Sequence, residues 1–134
     1  MRLSFGIAAV AAVAVSFGVA STDAVTSKKL VAVQVDEYSV FPATQGAPVG
    51  KVRFVVTNVG TIEHEFVVIK TVKPAGNLLK GNEANETGAV GELDGVKPGN
   101  ARVLVLNLKR GHYALLCNLP GHYKTGQFAD FYVR

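Results

Sequence analysis

The chain has 134 residues, of which 49% are hydrophobic and 18% charged, with a net charge of +4 and a single Cys. That length suits one small domain, and a lone Cys excludes an internal disulfide and any multi-cysteine zinc framework. The apolar excess excludes an intrinsically disordered chain. No run of Lys and Arg interleaved with aromatics is present, which argues against nucleic-acid binding.

Met1-Arg2 precedes a stretch without charge from Leu3 to Thr22, rich in Ala and Val. This reads as an export signal over residues 1–20, with small residues suited to cleavage before Ser21 or after Ala24, followed by one domain over residues 21–134. The alternative is a retained anchor helix, long enough for a bilayer core of about 20 residues but weakly hydrophobic. Either way the expected location is exported, periplasmic or extracellular, with membrane association open. Loss of Arg2 lowers the net charge only to +3. So mild a basic surface fits anionic membranes or acidic partners.

The rest of the chain carries strand and turn signals. Leu30 to Val35 alternates apolar residues, and Tyr38 to Phe41 reads as its extension, stopped by Pro42. Lys51 to Thr57 ends at Asn58-Val59-Gly60, and Glu65 to Lys70 follows after a short turn, as a neighbouring strand. Pro74 to Asn100, rich in Gly and Asn and without a sustained period, reads as a long connection with one helical turn near Leu78 to Lys80. Arg102 to Leu108, Tyr113 to Cys117 and Phe128 to Val133 complete at least six strands. The expected fold is an all-β, antiparallel Greek-key sandwich.

The chemistry lies near the C-terminus. Cys117, His122 and Gln127 are spaced along the loop that joins the last two strands, which is longer than a hairpin needs, and Pro120-Gly121 can fold it back on itself. Parity adds His64, which shares a strand face with Phe66 and Val68 and so opens an inward apolar row, while Glu65 faces the other way with Val67 and Ile69. Cys117 shares its face with Leu115 and Tyr113. His112 falls on the opposite face and reads as a solvated or capping residue near the turn at Arg110-Gly111. Two imidazoles, a thiolate and a weak fourth ligand suit a copper ion cycling between Cu(I) and Cu(II). Zinc would accept the same ligands without a redox role.

At Asn58-Val-Gly-Thr-Ile-Glu-His64-Glu-Phe and at Tyr113-Ala-Leu-Leu-Cys117-Asn-Leu-Pro-Gly-His122-Tyr-Lys-Thr-Gly-Gln127 the sequence resembles the cupredoxins, small type 1 blue copper proteins. The resemblance implies one copper ion with His64, Cys117 and His122 as equatorial ligands and Gln127 as the axial ligand. Most of the family places Met at that axial position, and the stellacyanins place Gln there. Many members also carry Asn after the first His; here it is Glu65, so the tether of the copper loop must differ or be absent, and Asn118 is a candidate for it.

The function implied is single-electron shuttling between redox proteins, with a partner docking near His122 on a patch of Leu119, Pro120 and Tyr123. A copper-binding or delivery role would use the same site, although no Met-rich or His-rich tract accompanies it. A thiol enzyme built on Cys117 and a His is the weakest reading, because so short a chain leaves little room for a substrate cleft. The chain is therefore not expected to be an enzyme.

Overall fold

The computed structural model describes residues 29–134; the expected signal or anchor helix over residues 1–20 lies outside the described residues. Among the described residues, no helix is long and apolar enough to cross a membrane.

The described residues form eleven strands: β1 (Leu30–Val35), β2 (Val40–Pro42), β3 (Gly46–Ala47), β4 (Gly50–Asn58), β5 (His64–Lys70), β6 (Leu79–Lys80), β7 (Glu83–Ala84), β8 (Ala89–Val96), β9 (Ala101–Leu108), β10 (Gly111–Leu116) and β11 (Phe128–Val133). One layer is a sheet in the order β2-β1-β4-β9, the second a sheet in the order β3-β11-β10-β5-β8, and β6 and β7 pair as a separate two-stranded ribbon. The all-β sandwich is as the sequence implies, with mixed rather than purely antiparallel sheets. β1 pairs in parallel with β4, and β3 in parallel with β11. The cause is the route of the chain: β2 doubles back on β1, β3 crosses to the other sheet, and β4 returns along β1 in the original direction.

Strict alternation along β1 turns Val31, Val33 and Val35 inward, and along β4 it turns Val52, Phe54 and Val56 inward. They meet Phe66, Val68, Leu93, Val96, Leu115, Phe131 and Val133 from the second sheet. The Phe54 ring anchors this layer, with centroids 5.5 Å from both Phe66 and Phe131. A second cluster lies on the outer face of the second sheet. There Val67, Ile69, Ala114 and Leu116 are covered by Ala75, Leu78, Ala84 and Tyr123. Burial on both faces explains the unbroken apolar run from Phe66 to Ile69 in β5.

Three expectations from sequence need correction. Tyr38 to Phe41 does not extend β1, because Asp36 Oδ1 accepts hydrogen bonds from Tyr38 N (2.8 Å), Ser39 N (2.7 Å) and Ser39 Oγ (3.0 Å) and reverses the chain, so β2 pairs antiparallel with β1. β4 and β5 are sequence neighbours that fall in opposite sheets and do not pair. The stretch Pro74 to Asn100 is not one long connection: it holds β8, eight residues paired with β5, while its helical turn lies at Ala75–Asn77 and Leu79–Lys80 is extended. Gly91 and Gly95 blank out the apolar period of β8 in the sequence.

Candidate metal centre

β5 delivers His64 at its first residue, and the local register explains how. The β5–β8 ladder shifts between His64↔Val96 and Phe66↔Leu93, so β8 spends an extra residue there. Gly95 takes up that bulge at φ +64°, a conformation that side chains resist. The loop ahead of His64 is fixed by Asn58, fully buried, whose Nδ2 donates to Ile62 O and Val96 O, both at 2.7 Å, and whose Oδ1 accepts from Gly60 N at 2.8 Å.

Cys117 follows the last residue of β10 and is fully buried on the inward face, as parity predicts. The loop beyond it is closed by its own backbone, Cys117 N donating to Gln127 O at 3.1 Å. His122 then enters a short 3-10 turn over Tyr123–Thr125. The result brings three of the four predicted ligands, His64, Cys117 and His122, together. Cys117 Sγ lies 3.8 Å from His64 Nδ1 and 3.5 Å from His122 Nδ1, and the donor atoms of all three fall within 4.8 Å of one another. An ion about 2.1 Å from each of three donors, in their plane, needs them roughly 3.6 Å apart. Both sulfur–nitrogen distances have that size, and the donor set is the soft-sulfur, two-imidazole set that suits copper.

Gln127 is also buried beside this loop. Its Nε2 donates to Glu37 O at 2.8 Å, which leaves Oε1 buried with no hydrogen-bond partner. An unpartnered buried amide oxygen is costly unless a hydrogen-bond donor or a metal ion meets its lone pair. A weak axial contact to a metal would do so.

Burial pushes the Cys117 thiol above its ordinary range, partly offset by N–H groups of Leu119 and Glu65, the latter 3.4 Å from Sγ. Burial likewise lowers His64, with the neighbouring His122 adding to the effect and Glu37 opposing it. The cluster thus favours a neutral imidazole, as a metal ligand must be, and its thiol gives up a proton when a metal binds.

The tether left open by Glu65 is also visible. Asn118, 6% exposed, grips Ala84 at both backbone groups, accepting from Ala84 N at 2.6 Å and donating to Ala84 O at 3.1 Å, and it donates to Glu86 Oε1 at 2.7 Å. The half-buried Glu65 carboxyl, raised by burial, faces the backbone N–H of Asn118. Tyr123 corrects the expected contact patch: it is 2% exposed, its hydroxyl donating to Ala75 O at 2.5 Å and accepting from Leu78 N at 2.9 Å. Leu119 is half-buried, Pro120 exposed and His122 half-buried, so the patch is smaller than predicted.

His112 takes no part. It sits on the outer face of β10, its Nδ1 2.8 Å from Thr71 O and its Nε2 2.7 Å from Asp130 Oδ1, cross-linking the sheet to the following segment. Sequence reasoning missed Asn58, read only as a turn residue, and Glu37. The Glu37 carboxylate accepts from Thr61 N (2.5 Å), Thr61 Oγ1 (3.0 Å) and Ile62 N (3.0 Å), which holds its pKa down at about 2.

A two-layer β-sandwich carrying a two-imidazole, one-thiolate centre at one end defines the class of small single-centre metalloproteins. No protein-family profile matches the chain. The copper-resistant cuproprotein CopI of Rubrivivax gelatinosus is 34% identical over 122 residues, spanning 84% of this chain and 70% of that protein. Solved structures share the fold at lower identity. Auracyanin from Roseiflexus castenholzii superposes with a TM-score of 0.62 at 19% identity, over 79% of this chain and 97% of auracyanin. An azurin from Methylomonas sp. strain J gives 0.60 at 12%, over 78% and 97%, and rusticyanin from Thiobacillus ferrooxidans 0.58 at 19%, over 79% and 78%. The chain belongs to the cupredoxin family of blue copper proteins.

Proposed function

We propose that this protein is an exported single-electron carrier in which His64, Cys117 and His122 would hold a copper ion, with Gln127 Oε1 as a weak fourth ligand. The observation that carries the reading is the cluster of Cys117 Sγ and the two Nδ1 atoms at the spacing one ion requires. Copper bound there supplies one reversible electron by alternating between Cu(II) and Cu(I).

The remaining work falls to the protein. Asn58 fixes the approach to His64, and the Asn118 clamp and the Cys117–Gln127 backbone bond fix the loop. Ligands held from outside the metal change little between oxidation states, which keeps the reorganisation cost of electron transfer small. The Glu65 N–H directed at Sγ stabilises negative charge on sulfur. His64 is fully buried whereas His122 is half-buried, so His122 is the route for electrons to and from a partner. Leu119 and Pro120 beside it form a small docking edge, which suffices for a weak electron-transfer encounter. The reading is of a carrier rather than an enzyme.

A second reading has a specific observation behind it: the CopI relative is named for copper resistance. The same ligands would then sequester copper. The two readings separate on one preparation. An intense thiolate-to-copper band that bleaches on reduction and is lost in Cys117→Ser establishes the site. Rapid self-exchange, slowed in partner reactions by Leu119→Lys, supports the carrier; transfer rates untouched by that substitution, with copper tolerance lost on deletion, support sequestration.

A further inference from the structure

We infer that Glu37 is a positioning residue for the metal centre: its carboxylate fixes the His64 ring with Nδ1 bare toward Cys117 and sets a negative charge behind the ion that favours Cu(II). The inference rests on the copper reading above and adds a determinant of the potential outside the ligand set.

His64 Nε2 is buried and has no hydrogen-bond partner, and the polar group it faces is Glu37 Oε1 at 3.8 Å. An imidazole that binds metal through Nδ1 carries its proton on Nε2, and a carboxylate on that side stabilises this tautomer and raises the ligand's basicity. Glu37 is not a wandering surface acid. The Asp36 turn presents it, and the donors from Thr61 and Ile62 converge on the same Oε1 atom. Gly60 makes the space: a Cβ there would lie 2.6 Å from both carboxylate oxygens. The same residue also accepts Gln127 Nε2 on its backbone carbonyl, at 2.8 Å. One residue thus orients an imidazole through its side chain and the axial amide through its main chain. Because the charge is partly shielded from water and close to the ring, it acts more strongly on the dicationic than on the monocationic ion.

The test has two readouts. In the copper-free protein, nitrogen NMR shifts are expected to show neutral His64 protonated on Nε2; a proton on Nδ1 overturns the inference. In the copper-loaded protein, Glu37→Gln preserves shape and acceptor oxygen but removes the charge, and is expected to move the Cu(II)/Cu(I) equilibrium about tenfold toward Cu(I), which is roughly 59 mV. Glu37→Asp should restore part of the shift. Gly60→Ala, which displaces the carboxylate without touching its charge, should move the potential the same way. A Glu37→Gln protein with its visible band intact and its potential unchanged overturns the inference and leaves the copper reading standing. A wild-type protein with no such band sinks the copper reading instead, and the tautomer still decides whether Glu37 governs the ring.

Discussion

Replacing Asn118 with Ala tests whether the clamp behind Cys117 carries the stability assigned to it. The substitution strands the N–H and C=O of Ala84, a residue 6% exposed, and deprives Glu86 of a donor. A buried backbone group left without a partner costs about 1–3 kcal/mol. Two such groups, with some water entering beside exposed Glu86, give an expected loss of about 3 kcal/mol. The assay is urea unfolding of the metal-free protein, so that no metal linkage adds to the stability. The midpoint should fall with the slope unchanged, as for a native-state effect. Lys124→Ala is the control, since the exposed contact of its Nζ with Asn82 is worth within about 0.5 kcal/mol. A loss below about 1 kcal/mol for Asn118→Ala would mean that β6 and β7 hold the loop without it, and the reasoning would fail.

Other consequences are equally direct. Gln127→Met exchanges a hard amide oxygen for a soft thioether, so voltammetry should show a raised midpoint potential; an unchanged or lower value would count against axial coordination. Phe54→Ala empties the space between Phe66 and Phe131 and should cost about 3–5 kcal/mol, read as a lowered thermal midpoint. The Glu37 carboxyl lies at about 2 in the folded protein against 4.5 as its ordinary value, so its contribution is complete above about pH 4.5 and is lost as the pH falls toward 2. Glu37→Gln should therefore flatten the acid limb of the stability profile over that window; parallel acid limbs for the two proteins would contradict the assignment.

Legibility followed the physics of each segment. Strands whose alternation is written in Val, such as β1 and β4, could be read directly, because one face is buried and the other wet. The parity of His64 with Phe66 and of Cys117 with Leu115 carried the centre for the same reason. β8 escaped because its bulge and its close packing require Gly91 and Gly95, which interrupt the apolar period that betrays a strand. Glu37 escaped because its role depends on a chain reversal at Asp36 and on a loop more than twenty residues later in the sequence. Asn118 was visible as a candidate tether but its anchor was not, since its partner Ala84 is contacted through the backbone, where no side-chain pattern is left in the sequence. The parallel pairing of β1 and β4 depends on β3 leaving its sheet, and two residues, Gly46 and Ala47, are too short a signal for that.

The backbone bond from Cys117 to Gln127 makes the segment between them a closed ring seated on a finished frame. Both ends are set by β10 and β11, whose pairing from Gly111↔Val133 to Leu116↔Phe128 is complete without the ring. Within it Asn118, clamped on Ala84, and Tyr123, packed against Ala75 and Leu78, belong to the folded frame, so only changes that spare these two leave the folding of the sandwich untouched. Between those two anchors and the strand ends the ring is exchangeable, and descent can retune the identity at Gln127 while the scaffold is inherited intact.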